Sequence, residues 1–262
     1  MSNEESHYWD TVAEAWGKAH PQTLWRAHSN AVHLQLLARW LSEDRVKHLL
    51  KTDVFEEACS EGLYSLLALK AECVVGMDLS GSTLSSARTR HASLCAVGAD
   101  TRRLPFADGA FDVIVSTSTL DHFRSHSEIV TSLQEFLRVL RPGGQLLLTL
   151  DNPANPLVGL RNALPFGLLH RLRIVPYYVG ATYGPRGLRR LLPQVGFEVL
   201  EVSTVLHCPR VFAVAIAGVL EGRAARETQK RFLGLLAAFE RLARWPTHFV
   251  TGYFVAVRAR RR

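Results

Sequence analysis

The chain has 262 residues, of which 47% are hydrophobic and 21% charged. That composition can bury a sizeable core and excludes a disordered chain. The net charge of +7 is concentrated in Arg258, Arg260, Arg261 and Arg262 and in the stretch from Arg161 to Arg190, which reads as solvated surface and an arginine-rich tail. Attraction to an anionic substrate or a peripheral membrane contact is the less favoured alternative. With no recognition motif and no aromatics interleaved among the basic runs, no nucleic-acid partner is expected.

Cys59, Cys73, Cys95 and Cys208 are widely and unevenly spaced without a C-x-x-C pair, which argues against a disulfide framework. The first residues, MSNEESHYWD, lack the basic-then-apolar pattern of a signal peptide. The longest apolar run, Val211 to Leu220, is about half of the ~20 residues a membrane helix needs. A soluble cytoplasmic protein is expected, with its oligomeric state left open.

In chain order, residues 5–45 read as a helical cap, with Trp9, Val12, Ala13 and Trp16 and then Val32, Leu36, Leu37 and Trp40 at helical spacing. A first strand follows around Val46 to Phe55, then a helix to about Leu69. Val74 to Met77 is a second strand ending in Asp78. Ser80 then caps a helix through Arg88. Leu94 to Val97 and Val113 to Ser116 are the third and fourth strands. Ser127 to Leu140 is an amphipathic helix with Ile129, Leu133, Phe136, Leu137 and Leu140 on one face, and Pro142-Gly143-Gly144 turns the chain. Gln145 to Leu150 is the fifth strand. Residues 151–187 hold a cluster of prolines and read as a long functional lid. Leu188 to Gln194 is a helix, Phe197 to Leu206 a strand, residues 212–244 two helices, and His248 to Arg258 a final alternating strand. The whole reads as one doubly wound α/β domain: cap 1–45, core 46–150, lid 151–187 and C-terminal part 188–262.

Apolar strands that end in polar residues place chemistry at the carboxyl ends of the sheet. Asp78 is the leading candidate there. Asp100 and Thr101 follow the third strand. Asp121-His122 follows the fourth, where histidine suits general base work. Asp151-Asn152 closes the fifth. No cluster has metal-ligand spacing, so no metal is expected.

Three blocks carry a resemblance: V-V-G-M-D-L-S (74–80), D-T-R-R-L-P-F-A-D-G-A-F-D-V-I-V-S (100–116) and L-R-V-L-R-P-G-G-Q-L-L-L-T (137–149). In order and spacing they resemble class I S-adenosylmethionine (SAM)-dependent methyltransferases. The resemblance implies a Rossmann-like, seven-stranded methyltransferase-type sheet with an N-terminal helical cap and a lid after the fifth strand. It also implies SAM as cofactor. Asp78, beside Leu79, would take the ribose hydroxyls. Asp100 and Thr101 would face the adenine, and Ser116 would sit at the cofactor wall.

The first strand departs from that family. An acidic residue and a G-x-G-x-G loop are expected, because the glycines let backbone amides approach the ligand; here Gly62 alone remains. In one register Glu56 is the acidic residue and A-C-S-E-G (58–62) replaces the glycine loop. In the other the strand is His48 to Asp53. The second is favoured, because the first buries Glu56 and Glu57 on an interior strand. Lys51 would then pair with the cofactor's carboxylate and Asp53 with its amine, with Thr52 alongside.

The implied activity is methyl transfer to an oxygen, nitrogen or carbon nucleophile of a small, partly hydrophobic acceptor, with His122 as base and Asp121 orienting it. Asn152, Asn155, Tyr177 and Tyr178 are candidate acceptor contacts. The alternative is a protein of the same fold that binds SAM or a nucleotide without transferring methyl groups.

Overall fold

The computed structural model describes residues 3–19, 22–171, 175 and 178–262. Two helices come first, α1 (Asn3–Ala19) and α2 (Thr23–Trp40). They precede β1 (Val46–Lys51), α3 (Phe55–Cys59), α4 (Tyr64–Lys70), β2 (Ala71–Asp78), α5 (Gly81–Arg90), β3 (Cys95–Gly98) and β4 (Phe111–Thr117). After a 3-10 turn (Leu120–His122) come α6 (His126–Val139), β5 (Leu140–Asp151), α7 (Pro156–Ala163), α8 (Phe166–Arg171), α9 (Pro185–Val195) and β6 (Phe197–Val205). Helices α10 (Arg210–Leu220), α11 (Arg226–Phe239) and α12 (His248–Thr251) lead to β7 (Phe254–Arg261).

The seven strands form one sheet in the order β3-β2-β1-β4-β5-β7-β6. The first five are parallel to their neighbours, and β7 runs antiparallel between β5 and β6. This is the Rossmann-like methyltransferase fold. The chain order reverses between β1 and β4, and ligands of such sheets sit outside the strands' carboxyl ends at that point.

Strand β4 is buried over all but its last residue, as a parallel strand covered on both faces must be. Adjacent side chains of β1 point to opposite faces. Leu49 joins Leu37, Trp40, Val113 and Leu147 on the face covered by α2, α10 and α11. Leu50 joins Ile114, Leu133, Phe136 and Leu148 on the face covered by α6 and α9. Local signals set the helix starts. Ser80 Oγ accepts from the Thr83 amide at the head of α5. Ser125 and Glu128 form a reciprocal capping box on α6. Asn155 caps α7, with Pro156 at its first position.

Three expectations are corrected. The lid is not one long loop, because residues 156–171 form α7 and α8. Residues 248–251 are a helical turn rather than strand, held by Thr204 Oγ1 donating to His248 O at 2.8 Å. The basic tail is the interior strand β7. Arg258 donates to Trp40 O, Arg260 pairs with Glu198 and Arg261 donates to the Arg138 carbonyl. Among the described residues, no helix is long and apolar enough to cross a membrane.

Candidate active site

A cavity of about 280 Å³ opens at the carboxyl ends of β1, β2 and β4, roofed by α1 and α2. Asp78, Leu79, Asp100, Thr101, Asp53, Thr52 and His122 all line it. Asp78 ends β2 with its Oδ1 accepting from the Ser80 amide at 2.9 Å and its Oδ2 from the Val54 amide at 3.2 Å. Each oxygen keeps a lone pair for a further donor. Burial pushes the Asp78 carboxyl up to about 6, although those amides oppose the shift.

Asp100 is clasped by Arg102, whose Nε reaches both carboxylate oxygens at 3.0 Å. Arg102 also reaches Glu128 at 2.7 Å and Glu5 of α1. At the opposite side of the same helix, Asp10 accepts from Ser80 Oγ at 2.6 Å and from the Ser82 amide at 3.2 Å. The first of these bonds holds the Asp10 carboxyl below the ordinary range. Between Glu5 and Asp10, Ser6 Oγ donates to Leu79 O at 2.9 Å, so α1 is fastened across the cavity along its first half.

Between β1 and β4 the hydroxyls form a ladder. Thr52 Oγ1 donates to Ser116 Oγ at 2.9 Å, and Thr119 Oγ1 donates to Asp53 Oδ2 at 3.0 Å. Ser116 is wholly buried and lies behind the cavity wall. After β4, Ser118 adopts a left-handed backbone (φ 54°), a conformation that clusters at functional sites in non-glycine residues. Its hydroxyl donates to Asp121 Oδ2 at 2.8 Å, and the Asp151 amide donates to the same oxygen at 3.1 Å. Burial, with Asp151 adding to it, pushes the Asp121 carboxyl above its ordinary value.

Asp121 Oδ1 lies 3.9 Å from His122 Nε2. His122 Nδ1 stands 3.1 Å from the Tyr178 carbonyl. A carbonyl only accepts, so Nδ1 is the donor here, and in the neutral ring Nε2 then holds the lone pair. The Trp9 ring packs edge-on against His122 with centroids 5.0 Å apart. Gly180 seats the strand-like stretch behind this turn, its amide donating to Asp121 O at 2.8 Å. A Cβ there would fall 1.7 Å from Phe123 O, so no other residue fits.

Several predicted contacts lie elsewhere. Lys51 is not turned to the cavity: it is 1% exposed, with Nζ donating to Asp53 O at 2.6 Å and pairing with Glu57 Oε2 at 2.9 Å. Asn152 is fully buried and donates to Phe249 O and Gly252 O. Asn155 donates to Thr251 O. These amides anchor the turn before β7 and are not available to an acceptor. Tyr178 reaches the site through its carbonyl, while its ring meets Phe166 edge-on with centroids 5.2 Å apart. Tyr177 lies outside the described residues. Sequence reasoning missed Arg26, Asn30, Arg102 and Thr119, all of which line the cavity. Arg26 and Asn30 share one face of α2 at i, i+4 spacing, a signal the apolar pattern of that helix overshadowed.

The fold and the cleft define a methyltransferase-type Rossmann domain. Residues 55–148 match the family model described as a methyltransferase domain. Over 156 residues it is 29% identical to a probable SAM-dependent methyltransferase of Mycolicibacterium smegmatis, covering 59% of this chain and 55% of that protein. The chain thus spans about half of that relative's length, and less of the next two. Among solved structures, a SAM-dependent methyltransferase from Mesorhizobium loti superposes with a TM-score of 0.57 at 18% identity, covering 87% of this chain and 96% of that one. The [4+2]-cyclase SpnF superposes at 0.54 with 20% identity, covering 87% and 79%.

Proposed function

We propose that the protein transfers the methyl group of SAM to an oxygen, nitrogen or carbon nucleophile of a small, partly hydrophobic molecule. The observation that carries this reading is that Asp78 and His122 line one cavity, at the carboxyl ends of β2 and β4, with the buried Asp121 carboxylate beside His122. The residues present fit the adenosine half of the cofactor. Asp78 offers a half-buried carboxylate with lone pairs to spare for the two ribose hydroxyls. Ala99, Asp100 and Thr101 form the neighbouring wall for the base.

When bound, SAM supplies an electrophilic methyl group on its sulfonium. The chain's own part is to orient and to move a proton. His122 Nε2 takes a proton from the acceptor, and the nearby Asp121 carboxylate stabilises the imidazolium that forms. Trp9, Val12, Trp25, Phe123 and Phe254 supply an apolar lining that excludes water and suits a partly hydrophobic acceptor. The test is release of S-adenosylhomocysteine from SAM across a panel of small phenolic, amine and carbon acceptors. No release above the acceptor-free rate with any of them, in a sample that binds the cofactor, would count against it.

A second reading, binding of SAM without methyl transfer, is favoured by one observation: the loop after β1 has no open backbone cradle. Likeness to a [4+2]-cyclase is compatible with that reading. Saturable binding of SAM together with its recovery unchanged after incubation with acceptors would support it.

A further inference from the structure

In the loop between β1 and α4, the chain has already used the amides that a glycine loop would offer to a ligand. Ala58 N donates to Val54 O, Ser60 N to Glu56 O, Gly62 N to Ser60 Oγ and Leu63 N to Glu57 Oε1. Glu57 itself, 1% exposed, fills the space: a Cβ on Gly62 would lie 2.6 Å from its Oε1. An internal carboxylate therefore occupies the Leu63 amide and the buried ammonium of Lys51. The zwitterionic end of the cofactor has to be met by side chains from another wall of the cavity.

That wall is α2. Arg26, in its first turn, lines the cavity beside Asn30. Its Nη1 is fixed by Glu56 Oε1 at 2.8 Å, and its guanidinium lies over the Phe55 ring at 5.0 Å. Both contacts preset a planar fork that matches a carboxylate. Asp53, two residues past β1, also lines the cavity, its carboxylate accepting from Thr119 Oγ1 and lying 3.6 Å from the Lys51 ammonium. We infer that this chain holds the amino-acid end of its cofactor between Arg26 of α2, which binds the carboxylate, and Asp53, which binds the ammonium, in place of a glycine loop. The helical cap is then part of the cofactor site. This rests on the reading that the cavity takes SAM.

The experiment is calorimetric titration of the full chain with S-adenosylhomocysteine, its decarboxylated analogue and 5′-methylthioadenosine, which lacks the amino-acid end. Wild-type protein should bind S-adenosylhomocysteine at least tenfold more tightly than the decarboxylated analogue, since a charge-assisted contact of ~1.5–3 kcal/mol is at stake. Arg26→Gln should erase that preference and leave methylthioadenosine within about twofold. Asn30→Asp sets a fixed negative charge beside Arg26 and should reduce the same preference, which serves if Arg26→Gln does not fold. A preference undiminished in both variants, or an equal loss for all three ligands, overturns the assignment. Failure of wild type to bind any of the three instead overturns the cofactor reading itself.

Discussion

Nε2 of His122 lies 3.9 Å from Oδ1 of Asp121, an oxygen that is buried and accepts no hydrogen bond. The other carboxylate oxygen is satisfied by Ser118 and the Asp151 amide. The geometry thus leaves one buried lone pair beside a ring nitrogen whose partner nitrogen is fixed by the Tyr178 carbonyl. A proton arriving at Nε2 makes an imidazolium beside that carboxylate.

His122→Gln should therefore slow methyl transfer by about 10²–10⁴-fold where the acceptor loses a proton, with cofactor affinity within about twofold. Asp121→Asn should slow it less and leave acceptor KM nearly unchanged. Single-turnover rates together with cofactor titration separate the two effects. Equal rates for wild type and His122→Gln at every pH would show that proximity alone suffices.

Asp78 gives a second prediction through its titration. Its carboxyl is raised by burial to about 6. Ribose hydroxyls donate to the ionised form, so binding favours that form and lowers its proton affinity. The sign follows: protons are released on binding near pH 6, and affinity for S-adenosylhomocysteine rises between pH 5 and 7 and levels off above. The limiting slope is about tenfold per pH unit on the acid side. Calorimetry in buffers of different ionisation heat measures the release, and Asp78→Asn should abolish both it and most of the affinity. Uptake of protons, or a flat profile, would place the ribose elsewhere.

A third concerns the fastening of α1. Arg102 ties Glu5 of α1 to Asp100 and to Glu128 of α6. Arg102→Ala should loosen the first turn of the helix while the Ser6–Leu79 and Asp10–Ser80 contacts remain. Ligand dissociation should quicken by about tenfold, and amide exchange in residues 4–13 should rise. Stopped-flow displacement and hydrogen exchange report the two. Unchanged exchange in α1 would mean that its remaining contacts hold it without Arg102.

How far this site was legible in the sequence depends on which physical signal each part carries. Asp78, Asp100 and His122 follow long apolar runs, and buried parallel strands announce themselves by continuous hydrophobicity; all three reach the cavity. The first strand was legible only by elimination. Placing Glu56 and Glu57 in an interior strand would have buried bare carboxylates, and the chain instead ends β1 at Lys51 and starts α3 at Phe55. The destination of Lys51 was not legible, because its partner Glu57 lies six residues on and meets it only through the turn of α3. Asn152 and Asn155 sit where acceptor contacts were expected, but the backbone turn at residues 249–252 has unmet carbonyls and takes both amides first. Arg258, Arg260 and Arg261 were read as a tail because charge is the strongest local signal. The alternation that makes them a strand continues Val255 and Val257, and their long side chains leave the sheet to reach Trp40, Glu198 and Arg138.

The Lys51–Glu57 pair yields the last prediction. The Lys51 ammonium is stripped of water, which alone would favour its neutral form, but Asp53 and Glu57 reverse that and raise it. Removing Glu57 takes away the closer carboxylate and leaves the ammonium with Asp53 at 3.6 Å, a loss that costs up to about 3–5 kcal/mol. Glu57→Ala should lower stability by that amount in urea unfolding and open space beneath Gly62, whose φ of 53° and tight contact with Glu57 fix the turn. Replacing both members with apolar residues, Lys51→Met with Glu57→Leu, should recover most of the loss, because no charge is then stranded. The double variant also frees the Leu63 amide that Glu57 now holds. If the pair exists to close a former ligand cradle, the double variant should keep its affinity for S-adenosylhomocysteine within about threefold, since the contacts that matter come from other residues. A double variant that is stable yet loses the ligand by more than tenfold would show that Lys51 itself is needed for binding.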